Sequence, residues 1–195
     1  PLPLIVAVHG LGDRPENFVR WLKGLPFPAR VIAPRAPTPY GRGYSWFPVE
    51  RPFEALESRD RAAIADASQR LAQLIRHLPS AHPTIGKPLV LGFSQGGVLS
   101  FELAVRSPAL IGAALPIAGT WAGARVGAHR GPIAPIFGFH GVADRRIPFG
   151  LAEGAVAQLA TQGRKATLRP YPDVRHTMTA DMRRDIFQQL FRLPR

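Results

Sequence analysis

The segment Gly92-Phe93-Ser94-Gln95-Gly96-Gly97 sets a serine inside a Gly-x-Ser-x-Gly pattern, after the apolar run Pro88-Leu89-Val90-Leu91 and before an amphipathic stretch. In that context the serine sits on a sharp strand-to-helix turn with strained backbone dihedrals. Glycine is expected at 92 and 96 because a side chain at either would collide with the neighbouring elements. The turn lifts the hydroxyl clear of a sheet and sets it near the positive end of the following helix. A serine hydroxyl is a poor nucleophile until a base takes its proton. Ser94 as nucleophile therefore demands a histidine, and the histidine an orienting acid.

The sequence offers six histidines. His77 falls within a helical pattern, and His82 and His129 lie in polar segments rich in Gly and Pro, so all three are expected at the surface. His9 and His140 each precede a glycine at a strand end and read as turn residues that bond to backbone. His176 follows the last apolar strand on the short loop Pro172-Asp173-Val174-Arg175-His176. A triad built on such a turn runs in the chain order Ser, acid, His, which makes His176 the expected base. The acids between Ser94 and His176 are Glu102, Asp144, Glu153 and Asp173. Glu102 and Glu153 fall in helical patterns. Asp173 is close enough to His176 to compete, but its place suits shaping the loop. Asp144, just past the strand that ends at His140, can reach the distal imidazole nitrogen, fix its tautomer and stabilise the imidazolium.

Acyl transfer also needs donors for a developing oxyanion. The backbone N–H of Gln95, next to the nucleophile, is one candidate. The N–H of Leu11, in the early loop His9-Gly10-Leu11-Gly12-Asp13, is the other.

These residues need a scaffold, and the hydrophobic pattern supplies one. Short apolar runs, near-continuous as in a parallel sheet covered on both faces, predict strands over 4–9, 30–33, 88–93, 111–117, 136–140 and 166–171. Between them lie helical patterns over 51–78, 96–106, 149–162 and 180–193. The first carries Ala55, Ile64, Leu71, Leu74 and Ile75 on one face, with Pro79 expected to close it. Gly163 is the expected cap of the third. Residues 34–52, rich in Pro, Gly and aromatics, read as a long surface excursion. No repeat or linker breaks the chain, and its 195 residues suit a single α/β domain.

Composition narrows the function classes. The chain has no cysteine, which excludes disulfides, thiolate metal sites and a cysteine nucleophile and is compatible with a cytoplasmic protein. No apolar run nears the roughly 20 residues of a membrane-spanning helix, and the N-terminal residues carry no signal-peptide pattern. The net charge of +12 is almost all arginine, Lys23, Lys87 and Lys165 being the only lysines. The arginines are scattered singly or in pairs, not gathered on a stripe with interleaved aromatics as nucleic-acid binding favours. No specific nucleic-acid role is expected, while weak, salt-screened attraction to anionic surfaces or substrates is.

Taken together, the early His-Gly-Leu-Gly-Asp, the Gly-Phe-Ser-Gln-Gly-Gly turn, the His-Gly-x-x-Asp-x-x-Ile-Pro around Asp144 and the late His176 resemble the phospholipase/carboxylesterase family of α/β-hydrolases. That family includes acyl-protein thioesterases and small bacterial carboxylesterases, and the likeness runs from Val8 to His176. It implies a mostly parallel sheet with helices on both faces and no large cap. Residue by residue it implies Ser94, Asp144 and His176 as triad and Leu11 and Gln95 as oxyanion donors. The stretch Gly43-Tyr44-Ser45-Trp46-Phe47 is similar to one bordering the family's acyl site, so Trp46 and Phe47 are the expected substrate-binding residues. One departure is Asp173, where the family commonly has glycine.

The expected activity is two-step hydrolysis of a small-molecule carboxylic ester or thioester through an acyl-enzyme, with no metal or cofactor. Hydrolysis of a lactone, peptide or lysophospholipid on the same site, or a non-catalytic binding role on this scaffold, are the alternatives. Oligomeric state is not legible.

Overall fold

Alternation along the first strand sets the layering. Leu4, Val6 and Val8 belong to one buried cluster and Ile5 and Ala7 to another, because successive side chains point to opposite faces. In a computed structural model, which describes residues 1–123, 131–161 and 165–193, the main sheet has six strands, all parallel. They are β1 (Leu2–Val8), β2 (Arg30–Ile32), β5 (Thr84–Phe93), β6 (Ala113–Ile117), β7 (Ile136–Gly141) and β8 (Ala166–Tyr171), in the spatial order β2-β1-β5-β6-β7-β8. Helices α2 (Ser58–Ala81), α3 (Gln95–Arg106) and α4 (Phe149–Thr161) pack on the Leu4 face, and α1 (Pro15–Trp21) and α5 (Ala180–Arg192) on the Ile5 face. A two-stranded hairpin, β3 (Thr38–Tyr40) and β4 (Gly43–Ser45), lies outside the main sheet.

Every expected strand is present. β5 starts four residues before the expected 88 because Thr84 and Ile85 pair with Leu2 and Pro3 of β1, across a register shift between Pro3 and Ile5. The helix expected from residue 51 begins instead at Ser58, after a short 3-10 turn at Phe53–Ala55. Glu57 and Asp60 form a capping box there, and both carboxylates bind Arg51, fixing the chain ahead of the helix. Pro79 does not close α2. It sits in the last turn, and the helix ends after Ala81, where the His82 N–H donates to the Leu78 carbonyl at 2.8 Å. The buried face of α2, Ile64, Ala67, Leu71, Ile75 and Leu78, follows the helical period.

The long excursion over 34–52 carries unexpected structure. Within it the hairpin clips onto the loop after β1, Gly12 N–H donating to the Tyr44 carbonyl at 2.9 Å and Tyr44 N–H to Asp13 at 3.1 Å. Helix α1 was likewise missed; its signal is Pro15 at the first turn and the single buried anchor Phe18. Residues 124–130 of the loop between β6 and β7, His129 among them, and the expected cap Gly163 lie outside the described residues. Among the described residues no helix is long and apolar enough to cross a membrane.

Two glycine substitutions test this packing from opposite sides. A Cβ on Gly96 would stand 2.0 Å from the Val8 carbonyl oxygen, whereas one on Gly154, exposed in α4, meets nothing within 4 Å. Gly96→Ala is expected to destabilise by ~3 kcal/mol or more, beyond ordinary overpacking. Gly154→Ala is expected to stabilise by roughly 0.5–1 kcal/mol through helix propensity. Urea unfolding of the three proteins checks both signs.

Candidate active site

Strand β5 runs directly into α3, and Ser94 is the residue between them. Its backbone is at φ 56° and ψ −115°, a conformation that costs a non-glycine residue energy and persists only where the surroundings enforce it. The enforcement is steric and polar. A Cβ on Gly92 would stand 2.1 Å from the Gly96 carbonyl oxygen, so α3 crosses β5 at a distance only glycine permits. The Ser94 N–H then donates to the Ile117 carbonyl of β6 at 3.0 Å, tying the turn to the next strand.

The loops following β7 and β8 converge on that serine. His176 Nε2 is 2.9 Å from Ser94 Oγ, and His176 Nδ1 is 2.7 Å from Asp144 Oδ2. The second oxygen of Asp144 accepts the N–H groups of Arg146 at 2.8 Å and Ile147 at 3.1 Å. Burial alone would raise the Asp144 carboxyl, but hydrogen bonds to His140 and His176, the charge of His176 and the Ile147 N–H hold it well below the usual carboxylate range. The ionised form of Asp144 is thereby favoured. An ionised acceptor on Nδ1 leaves Nε2 with its lone pair toward Ser94. Asp173 stands at φ 59°, the left-handed turn that a glycine would make freely and an aspartate tolerates. Its place is in the loop, not beside the imidazole.

Leu11 and Gln95 share a cleft of about 720 Å³ with Ser94 and His176. Volumes of this order suit small organic ligands. Trp46 and Phe47, expected on the cleft wall, are instead buried at 6% and 4% exposure and stand behind it. The Trp46 indole N–H donates to the His9 carbonyl at 2.9 Å, and its backbone N–H donates to the Gln95 side-chain oxygen at 2.9 Å. The Gln95 amide nitrogen in turn donates to the Phe47 carbonyl at 2.8 Å. The apolar wall comes from Leu11, Val49, Phe53, Phe93 and Ile147. Val49 lies in the excursion, and Phe53 in the short 3-10 turn that stands where an α-helix was expected from residue 51.

Three contributions were missed in the sequence. The Gln95 side chain, buried at 2%, clamps the aromatic segment to the turn at Ser94. His140 Nε2–H lies between the Ile147 carbonyl at 2.8 Å and Asp144 Oδ2 at 3.3 Å; it bonds backbone, as expected, and also buttresses the acid. Its spacing of four from Asp144 was the available signal. His9, fully buried, bonds backbone as expected, accepting the Ala36 N–H on Nε2 at 3.2 Å while Nδ1 donates to the Gly10 carbonyl at 2.8 Å; what was missed is that it thereby braces the loop that carries Leu11.

The sequence pattern of the Phospholipase/Carboxylesterase family matches residues 2–191. The chain belongs to this family. A protein named "Probable carboxylesterase" from Oryza sativa subsp. japonica is 27% identical over 139 residues, 69% of this chain and 59% of its own length. The chain thus spans less than two thirds of that relative. Among solved structures, esterase PE8 superposes with a TM-score of 0.86 at 24% identity, covering 98% of this chain and 92% of its own. Acyl-protein thioesterase 2 of Zea mays superposes with a TM-score of 0.79 at 21% identity over 97% and 93% of the two chains. At these identities the superpositions establish the α/β-hydrolase fold.

Burial lowers the His9 pKa from 6.5, outweighing the Gly10 carbonyl and the charges of Asp13 and Glu16. A proton on Nε2 would face the Ala36 N–H. The unfolded chain takes that proton near pH 6.5 and the native state resists it, so this stabilisation is full above about 6.5 and is lost as pH falls below it. The expected slope from one such group is at most about 1.4 kcal/mol per pH unit. His9→Gln, which keeps an acceptor, is expected to remove it. Denaturant unfolding of both proteins between pH 7.5 and 5 measures the difference in slope, and parallel curves would contradict the assignment.

Proposed function

We propose that the chain is a serine hydrolase that cleaves small-molecule carboxylic esters or thioesters through an acyl-enzyme. The observation that carries the reading is the continuous hydrogen-bonded line from Ser94 Oγ through both nitrogens of His176 to Asp144, begun at a strained turn. Family membership and the cleft opening on Ser94 support it.

In this reaction His176 Nε2 takes the Ser94 proton as Oγ attacks the acyl carbonyl. Asp144 keeps the imidazole in register and stabilises its cationic form. The carbonyl oxygen gains negative charge and is met by the N–H groups of Leu11 and Gln95, near the positive end of α3. The imidazolium then protonates the departing alcohol or thiol. Water, deprotonated by the same histidine, releases the acid and restores Ser94. The apolar wall of Leu11, Val49, Phe53 and Ile147 suits short to medium acyl groups. Trp46, Phe47 and the Gln95 side chain act from behind, holding the oxyanion loop and the nucleophile turn at one spacing. The chain has no cysteine, so no thiol chemistry ties it to a redox compartment, and a cytoplasmic setting is part of the proposal.

The test is hydrolysis of p-nitrophenyl esters from acetate to palmitate, with fluorophosphonate labelling of the same preparations. Expected are an optimum at short to medium chain length and loss of turnover by about 10⁴-fold or more in Ser94→Ala, with labelling confined to Ser94. Asp144→Asn is expected to lower kcat by about 10⁴-fold, because the imidazole then favours the wrong tautomer. Absence of both turnover and Ser94 labelling would refute the hydrolase reading.

Gln95→Ala separates support from chemistry, since it keeps the backbone N–H but removes the clamp. Its buried partner Trp46 N–H would be left unpaired, while the Phe47 carbonyl keeps the Ser45 hydroxyl at 2.7 Å, at a cost of about 1–3 kcal/mol in stability. Activity should fall along with it. Full activity with lowered stability would mean that the clamp does not set the site's geometry.

A further inference from the structure

The cleft around Ser94 carries five charged residues in its lining: Asp13, Glu50, Arg51, Arg145 and Arg146. Three of them already have partners in the protein. Arg51 binds Glu57 and Asp60; Glu50 binds Arg59 at 3.2 Å; and Asp13 accepts the Asn17 amide at 2.9 Å. Arg145 and Arg146 have no acidic partner among the described residues. Both are exposed, and both follow Asp144 directly on the loop after β7. The backbone N–H of Arg146 is spent on Asp144 at 2.8 Å, which anchors the loop while both guanidinium groups stay available at the cleft. A pair of uncompensated guanidinium groups at one side of a nucleophile is a recognition feature for a carboxylate or phosphate, which arginine meets with a planar fork of donors.

We infer that Arg145 and Arg146 select esters or thioesters carrying an anionic group, a carboxylate or a phosphate, on the side of the scissile bond that faces the loop after β7. The inference rests on the serine-hydrolase reading and specifies its substrate class. The anion reaches the site in one of two ways. It belongs to the acyl part, as in a half-ester of a dicarboxylic acid, or to the leaving group, as in a thiol attached to phosphates. Uncompensated charge also steers such substrates toward the cleft, an effect that added salt weakens.

Two matched pairs of substrates distinguish these sources. Monomethyl glutarate against methyl butyrate, followed by pH-stat, tests an acyl-side anion. Butyryl-coenzyme A against butyryl-N-acetylcysteamine, followed by thiol release, tests an anionic leaving group. The expected result is a kcat/KM at least about tenfold higher for the anionic member of one pair, expressed mainly in KM and diminished by 0.5 M NaCl. In the double variant Arg145→Gln/Arg146→Gln that ratio should collapse toward one, and Arg145→Lys/Arg146→Lys should retain part of it. A control with the same loss of charge at remote exposed sites, Arg76→Gln/Arg192→Gln, should keep the full ratio. Equal rates within both pairs, a preference surviving in the double glutamine variant, or an equal loss in the remote control would overturn the inference. If either neutral substrate is still turned over in a Ser94-dependent way, the hydrolase reading stands without it. Failure of all four substrates together with unlabelled Ser94 removes the hydrolase reading and this inference with it.

Discussion

The crossing of α3 over the ends of β1 and β5 is the constraint on which the site depends. Gly92 and Gly96 lie so close to each other and to the Val8 carbonyl that a methyl group on either would overlap backbone at about 2 Å. That closeness lets the chain reverse from strand to helix in one residue, and the residue in between is forced to a positive φ. The strain at Ser94 is thus paid for by the burial of β5 and α3, whose side chains Val90, Leu91, Val98, Leu99 and Phe101 are almost wholly hidden. Such burial contributes roughly 1.5–3 kcal/mol per large side chain, well above the cost of one strained residue. A looser crossing would relax the turn and withdraw the hydroxyl from His176.

The parallel sheet then does the remaining positioning. Because all six main strands point the same way, the loops after β1, β5, β7 and β8 emerge at one edge, as ligand sites of open α/β sheets generally do. Leu11, Ser94, Asp144 and His176 come from those four loops. Each loop is braced separately: His9 and the hairpin hold the first, Ile117 the second, and His140 with two backbone N–H groups the third. Gln95 joins the first two through the segment at Trp46 and Phe47. Buried polar groups dominate this bracing, and in a low-dielectric setting each such bond is worth keeping because leaving one unmade costs more.

Placements set by chain order and local pattern were legible in the sequence. The strand-turn-helix around Ser94, the loop addresses of Asp144 and His176, and the apolar strands all follow from period and punctuation. Roles created by folding were not. Trp46 looks like a pocket residue in one dimension, and nothing local reveals that its indole is spent on the His9 carbonyl. The irregular path of 51–57 was misread as helix because Ala55 fits the helical period, whereas the Glu57–Asp60 capping box with Arg51 marks the true start three-dimensionally. Helix α1 is short and buries only Phe18, too little periodicity to detect. His140 was read for its neighbour Gly141 and not for its spacing to Asp144.

The loop after β7 shows how one short segment serves two demands without conflict. Its backbone N–H groups face inward and saturate one oxygen of Asp144, while His140 and His176 share the other. Asp144 therefore needs nothing from the side chains at 145 and 146, and those positions are free to vary in chemistry while the geometry of Ser94, His176 and Asp144 stays fixed. Two arginines there add positive charge directly after Asp144, yet its carboxylate is already hydrogen-bonded and buried, so it does not draw them in. Their charge is left for the cleft. Under the proposed hydrolase function, the backbone of this loop holds the acid and its side chains are left for selectivity.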